Sequence, residues 1–179
     1  MKKIIALLIV LSLIAAGALA EAGLTSFNTY DINMKADESI ESKKVSESIF
    51  APYDLTMVNI WATWCGYCIQ EMPELAKLKD MLPENVNLIS ICDDAAVETE
   101  LAYQILQTTG ATNFPTLMAC ADMYAEDQLL SQVYAFPTTY FLDHEGMPVG
   151  EPITGVPSLE DAAETYLSII HEVLDMLEA

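Results

Sequence analysis

Cys65 and Cys68, two cysteines separated by two residues, are the residues of this chain whose types and spacing most directly suggest chemistry. Such a pair can exchange a disulfide with another protein, or it can supply two of the four ligands of a metal site. A disulfide between them would close a very short loop and remove little entropy from the unfolded chain. The spacing therefore favours redox exchange or metal binding over a structural crosslink.

The sequence around the pair predicts that it lies where a strand ends and a helix begins. Residues 55–62 read as a buried strand, and apolar residues recur at three- and four-residue intervals up to Leu82. A cysteine at a helix N-terminus meets unpaired backbone N–H groups and the positive end of the helix dipole. Both favour the thiolate of Cys65, and the thiolate is the species that attacks disulfides.

Strands and helices alternate over the rest of the chain, which predicts an α/β sheet of mixed direction. The polar, acidic stretch 21–48 is expected to hold a short strand pair. Further elements are expected at residues 86–92 (strand), 97–107 (helix), 114–118, 134–142 and 148–153 (strands), and 159–177 (helix, with Ser158 as its N-cap). Residues 21–179 are expected to form one domain.

The first twenty residues have the pattern of a secretory signal peptide. Lys2 and Lys3 precede the apolar run Ile4 to Ala16, and Ala18-Leu19-Ala20 supplies a cleavage pattern of small residues. We therefore expect cleavage after Ala20 and an extracytoplasmic location. An uncleaved signal that anchors the protein to the outer face of the membrane is the alternative.

The chain is strongly acidic, with 27 aspartates and glutamates against seven basic residues and a formal net charge of −20. Such a field repels nucleic acids, so we exclude DNA and RNA binding. It favours basic partners, or else it is a solubility adaptation of an exported protein. We expect a monomer.

Two distant motifs together resemble the thioredoxin fold: Trp61-x-x-Trp64-Cys65-x-x-Cys68 after a strand, and Phe136-Pro137-Thr138. The run from Val58 to Pro73, with Glu71 three residues after the second cysteine, is similar to exported TlpA/ResA-like thiol–disulfide reductases. The resemblance implies a thioredoxin-like α/β fold, with helices on a central mixed sheet and an N-terminal strand-pair extension. Two positions depart from the thioredoxin pattern: Asn59 replaces a buried aspartate, and Gly66-Tyr67 replaces Gly-Pro.

The helix spacing and the resemblance together assign catalytic roles to Cys65, Cys68 and Glu71, and the resemblance alone assigns one to Pro137. Cys65 is the expected attacking thiol, and Cys68, one turn later, resolves the mixed disulfide. Because residues three apart share a helix face, Glu71 is expected beneath Cys68, partly buried and with a raised pKa. There it would take the proton of Cys68. The alternative is that Glu71 is an ordinary solvated helix residue.

The resemblance also implies a substrate-binding surface beside the sulfurs. Pro137 corresponds to a family proline whose preceding peptide bond is cis, and it would present the backbone of Phe136 to substrate. The alternative is a strand-edge proline with a trans bond. Trp61 is expected in the core, whereas the residues expected to contact substrate are Trp64, Gly66, Tyr67, Phe136 and Thr138.

Cys92 ends one predicted strand and Cys120 follows another, and the sequence leaves open a second disulfide between them or two buried free thiols. No cofactor or metal is expected. The function expected from the resemblance is reduction of disulfides in exported proteins, with cytochrome c maturation as one family task. A membrane thiol transporter of the CcdA type would supply the electrons. A disulfide-forming oxidase and a non-enzymatic metal-binding module are the alternatives.

Overall fold

The computed structural model describes residues 22–33 and 44–178. Along the chain these residues form ten regular elements: β1 (Asn28–Tyr30), β2 (Lys44–Ser46), β3 (Leu55–Trp61), α1 (Gly66–Met81), β4 (Val86–Cys92), α2 (Ala95–Thr109), β5 (Thr116–Met118), β6 (Thr138–Leu142), β7 (Ile153–Thr154) and α3 (Ala162–Leu177). Short 3-10 turns lie at Glu47–Ile49, Ala121–Tyr124 and Leu129–Gln132. The predicted signal peptide, residues 1–20, lies outside the described residues.

The central sheet has the strand order β5-β4-β3-β6-β7 and is mixed in direction. β3 pairs in parallel with β4, and β4 with β5, whereas β6 is antiparallel to β3 and β7 is antiparallel to β6. Every residue of β3, β4 and β6 is buried, as expected for strands covered on both faces. This confirms the predicted thioredoxin-like α/β fold.

Each face of the sheet contacts its own hydrophobic cluster. The first cluster joins one face to the three helices and includes Trp61, Cys68, Leu75 and Tyr166. The second covers the opposite face and includes Phe27, Phe50, Ile91 and Met123. The carboxyl ends of the parallel strands β3 and β4 lie side by side, with Trp61 opposite Cys92. The start of α1 therefore lies beside the loop that follows β4.

The predicted N-terminal strand pair is confirmed as an antiparallel sheet of β1 and β2, with Thr29 opposite Val45. It is joined to the main sheet at β5. The Asp31 carboxylate accepts a hydrogen bond of 2.9 Å from the backbone N–H of Thr116, and the backbone N–H of Ile32 donates to the Thr116 carbonyl at 2.8 Å.

Several element boundaries differ from those expected, and the strand expected at 134–142 begins only at Thr138. The last helix begins at Ala162, because the Ser158 hydroxyl is hydrogen-bonded to the Asp161 carboxylate and backbone N–H and holds residues 158–161 in a turn before the helix. The predicted strand 148–153 is reduced to the two-residue β7 and an isolated bridge between Leu142 and Pro148. In the part of the chain that the structure describes, no helix has the length and apolar character needed to cross a membrane.

Candidate active site

Cys65 and Cys68 form a disulfide at the N-terminus of α1, as the strand-to-helix pattern predicts. Cys65 is the N-cap residue in an extended conformation, and its sulfur accepts a hydrogen bond of 3.2 Å from the backbone N–H of Cys68. Cys65 keeps 6% of its surface exposed, whereas Cys68 is fully buried. A partner can therefore reach the pair only through the sulfur of Cys65.

Glu71 lies one helical turn after Cys68 and is 1% exposed, so the prediction of an internal carboxyl group is confirmed over that of a solvated one. Its two oxygens have different donors: the Tyr166 hydroxyl donates to Oε1 at 2.6 Å, and Asn59 Nδ2 donates to Oε2 at 3.2 Å. Burial raises the pKa of Glu71 to about 7, although both hydrogen bonds oppose that rise. The group can therefore gain or lose a proton near neutral pH.

A second carboxylate, Asp94, holds the loop that leads into Cys65. Its Oδ1 accepts a hydrogen bond of 3.0 Å from the backbone N–H of Thr63, and its Oδ2 accepts one of 2.5 Å from the Thr63 hydroxyl. Burial raises the pKa of Asp94, but the hydrogen bonds from Thr63 outweigh it and leave the pKa below its ordinary value. Asp94 is therefore a fixed negative charge that orients the residues before Cys65.

Asp94 is not among the residues predicted above, although the sequence carries a usable signal for it. Asp93-Asp94 follow β4 directly, and Thr63 follows β3. Parallel neighbouring strands end at the same edge of a sheet. The backbone N–H of Asp93 also donates to the Trp61 carbonyl at 2.8 Å, which joins the two strand ends.

The peptide bond between Phe136 and Pro137 is cis, as the resemblance implies. Phe136 is half-buried, and its ring meets that of Trp64 edge-on with 5.7 Å between centroids. Trp64 is 72% exposed and Tyr67 is 64% exposed, and Gly66 is also exposed. Trp64, Tyr67 and Phe136 form an aromatic rim around the Cys65 end of the pair. Trp61, in contrast, is fully buried in the core.

The side chain of Thr138 is not part of this rim, and the predicted contact of Thr138 with substrate stays a prediction. Thr138 is 4% exposed and its hydroxyl donates to the Ala135 carbonyl at 2.8 Å. Thr138 is the first residue of β6, where it is paired with Ile60 on one side and Thr154 on the other. A residue between two paired strands has its side chain packed against a layer of the fold rather than open to a partner.

Cys92 and Cys120 are free cysteines, so the second disulfide that the sequence left open does not form. Cys92 is buried, as the alternative of two buried thiols expects, whereas Cys120 is half-buried. Cys92 belongs to the helix-side cluster, whereas Cys120 packs against the cluster on the opposite face. The Cys92 thiol donates to the Asp94 carboxylate at 3.4 Å. Burial, together with the charge of Asp94, raises the pKa of Cys92 well above its ordinary value, so it remains a thiol. Within residues 22–33 and 44–178, no three side chains of His, Cys, Asp or Glu converge on a common point.

A model of the thioredoxin family matches residues 38–129, just over half of the chain. The chain therefore belongs to the thioredoxin family. The thiol–disulfide oxidoreductase ResA of Oceanobacillus iheyensis is 31% identical to it over 134 residues, which are 72% of this chain and 66% of that relative. The thiol:disulfide interchange protein DsbE of Pseudomonas aeruginosa is 29% identical over 69% of this chain and 63% of the relative.

Among solved structures, a thiol:disulfide interchange protein from Chlorobium tepidum superposes with a TM-score of 0.60 and 18% identity, covering 83% of this chain and 95% of that one. This likeness supports the fold. The ResA/DsbE-type relatives confirm the family that the sequence motifs indicated. The chain spans slightly less than two thirds of the length of the two curated relatives named above.

Proposed function

We propose that this protein is an extracytoplasmic thiol–disulfide oxidoreductase that reduces disulfides in exported proteins. The observation that carries the proposal is the Cys65–Cys68 pair at the start of α1, with Cys65 6% exposed, Cys68 fully buried and the buried Glu71 one helical turn after Cys68. The aromatic rim of Trp64, Tyr67 and Phe136, beside the cis bond that precedes the buried Pro137, gives a partner polypeptide a surface next to Cys65.

The proposed reaction has two exchanges. The Cys65 thiolate attacks one sulfur of a substrate disulfide, which forms a mixed disulfide and releases the first substrate thiolate. Cys68 then gives its proton to the Glu71 carboxylate, and the resulting Cys68 thiolate attacks the sulfur of Cys65. The second substrate thiolate leaves, the protein carries the Cys65–Cys68 disulfide, and the substrate has gained two electrons. The two substrate thiolates take up protons from the solvent, to which Glu71 returns the proton that it received from Cys68.

The setting of the reaction is also proposed. The signal-like first twenty residues and the exported TlpA/ResA-like proteins that the chain resembles support a location outside the cytoplasm. There the oxidised protein needs a source of electrons, for which we propose a membrane thiol transporter of the CcdA type. Reduction of apocytochrome c before haem attachment is the specific task that we propose from the same resemblance.

The proposal is tested by a dithiol-coupled insulin reduction assay together with equilibration against glutathione. We expect the wild-type chain to accelerate insulin reduction and the Cys65→Ser variant to lose that activity completely. We expect a reduction potential nearer the roughly −270 mV of thioredoxin than the roughly −120 mV of the oxidase DsbA. Equal activity of the wild type and Cys65→Ser would refute the redox role, and a potential near that of DsbA would indicate an oxidase.

A further inference from the structure

Four buried side chains form a closed ring of hydrogen bonds behind the cysteine pair. Tyr166 donates to Glu71 Oε1 at 2.6 Å, and Asn59 Nδ2 donates to Glu71 Oε2 at 3.2 Å. Asn59 Nδ2 also donates to the Thr139 hydroxyl at 3.1 Å, and the Thr139 and Tyr166 oxygens are 3.1 Å apart. All four residues are at most 1% exposed. The ring joins β3, α1, β6 and α3, so each residue comes from a different element.

The hydrogen bonds of this ring run in two chains of donors, both of which end at the Glu71 carboxylate. The Asn59 amide uses its two N–H groups on Glu71 and Thr139, which leaves the Thr139 hydroxyl to donate to Tyr166 and the Tyr166 hydroxyl to donate to Glu71. Burial, together with the charge of Glu71, raises the pKa of Tyr166 far above the neutral range, so its hydroxyl remains a donor. Chains of hydrogen bonds directed in this way strengthen one another in a buried setting.

One donor on each oxygen fixes the plane of the carboxylate and still leaves acceptor capacity on both atoms. Glu71 shares its helix face with Cys68, one turn earlier. A carboxylate that is held in this way can accept one further hydrogen without moving. The ring therefore orients the Glu71 carboxylate and stabilises its ionised form, which packed apolar neighbours would not do.

We propose that Tyr166 is a positioning residue of the exchange reaction, which holds Glu71, through the ring with Thr139 and Asn59, as the proton acceptor for Cys68. This inference rests on the proposed function. Tyr166 does not touch the sulfurs in this account. It acts through Glu71, and its effect is confined to the step in which Cys68 releases the substrate.

The ring can also receive the proton. Asn59 Oδ1 is buried and has no hydrogen-bond partner among the described residues. After a half-turn of the amide, this oxygen would face Glu71 Oε2 and accept a hydrogen bond from the protonated acid, while Tyr166 continues to donate to Oε1. This rotation pairs Oδ1 with the acid proton, and the two N–H groups of Nδ2 give up Glu71 and Thr139 as acceptors.

The test compares Tyr166→Phe with the wild-type full-length chain in two measurements. The first follows the titration of the Glu71 carboxyl group in the oxidised chain by infrared spectroscopy, with Glu71→Gln identifying the band. Loss of a hydrogen bond to a charged group should move this titration upward by about one pH unit or more. Thr139→Val should move it in the same direction by less, because Tyr166 still donates to Glu71.

The second measurement follows the reaction of the reduced chain with a chromogenic aromatic disulfide in stopped flow. Two equivalents of chromophore are expected, one on attachment to Cys65 and one on release by Cys68. Tyr166→Phe should slow release at pH 7 and shift its acid limb upward with the Glu71 titration, while attachment keeps its rate. Tyr140→Phe is the matched control, because it removes a hydroxyl from a tyrosine that packs on the opposite face of the sheet.

An unchanged Glu71 titration in Tyr166→Phe overturns the inference, as does a shifted titration with an unshifted release profile. The carboxyl titration needs no turnover and decides the role of Tyr166 toward Glu71 whatever the activity. A wild-type chain that yields no second equivalent instead overturns the proposed function, so the two failures are distinguishable.

Discussion

The two sulfurs of the pair are three residues apart, yet the protein surrounds them differently. On the Cys65 side, Thr63 is held by the ionised Asp94, and the neighbouring Trp64 is exposed to solvent. On the Cys68 side, Glu71 is buried among hydroxyl and amide groups. The two carboxyl groups have pKa values displaced in opposite directions, that of Asp94 lowered and that of Glu71 raised to about 7.

The difference shows that the same functional group serves two purposes according to what surrounds it. Asp94 accepts two hydrogen bonds from one residue and remains charged, so it can position a loop but has no proton to exchange at neutral pH. Burial raises the pKa of Glu71 by more than its two hydrogen bonds lower it, so the carboxyl group can exchange a proton near neutral pH. Attachment at Cys65 and release by Cys68 should therefore respond to different substitutions.

The largest effect should come from removing the inner sulfur itself. In Cys68→Ala, attachment to Cys65 should proceed and release should stop, which leaves a stable mixed disulfide. Mass spectrometry of the product should find one substrate molecule on Cys65 for each chain, and stopped flow should give one equivalent of chromophore. Cys92→Ala is the control, because that thiol is buried and remains protonated, and it should still release two equivalents.

Glu71→Gln should stabilise the fold above neutral pH. The pKa of Glu71 rises from 4.5 to about 7 on folding, so the folded chain binds this proton more tightly than the unfolded chain does. The resulting stability is present below pH 4.5 and is lost as the pH rises through 7. Replacing the acid should therefore raise the free energy of unfolding by about 3 kcal/mol at pH 8 and change it little at pH 4.

Urea unfolding of the oxidised variant at both pH values measures this difference. Glu74→Gln is the matched control on the same helix, where the carboxylate accepts a hydrogen bond of 3.2 Å from the backbone N–H of Ala163. A loss of stability in Glu71→Gln at pH 8 would mean that the hydrogen bonds stabilise the ionised Glu71 by more than burial destabilises it. The opposing pKa shifts of Glu71 and Asp94 would then be wrong.

Asp94→Asn should give a smaller effect of opposite sign. Its lowered pKa stabilises the fold above the ordinary pKa of aspartate, and this stability is lost as the pH falls through the folded value. The amide oxygen can still accept one hydrogen bond from Thr63, so the loss at pH 7 should be about 1 kcal/mol and should disappear in acid. Attachment at Cys65 should slow by roughly fivefold or less.

The matched variant is Asp93→Asn, whose carboxylate accepts a hydrogen bond from the Tyr124 hydroxyl rather than from the loop before Cys65. Stopped-flow attachment rates and urea unfolding compare the two. If Asp94→Asn slowed release and left attachment unchanged, the division between the two sides of the pair would be wrong.

The sequence was sufficient for the parts of the site that are local along the chain. The strand ending at Trp61 and the helix periodicity after Cys68 placed the sulfurs at a helix start, and three-residue spacing placed Glu71 beneath Cys68. Pro137 was found only through the resemblance. These predictions needed no knowledge of which distant residues meet.

The partners of Glu71 and of Cys92 could not be predicted in this way. Tyr166 follows Glu71 by 95 residues and occupies a regular position of an apolar helix stripe, so nothing in its spacing distinguishes its hydroxyl. Cys92 ends β4 and Cys120 follows β5, but their packing on opposite faces depends on the register and on the turn after Met118. Such pairings are decided by packing, which periodicity does not encode.

The central claim is that Glu71 accepts the proton of Cys68 in the release step. The pH dependence of release, compared between the wild type and Glu71→Gln, tests this claim most directly. The measurement is the rate of the second chromophore equivalent from pH 5 to 9. The wild-type rate should rise through an acid limb near pH 7, the pKa of Glu71, and Glu71→Gln should lose this limb and be slower by about 100-fold at pH 7. Superimposable profiles of the two proteins would contradict the account.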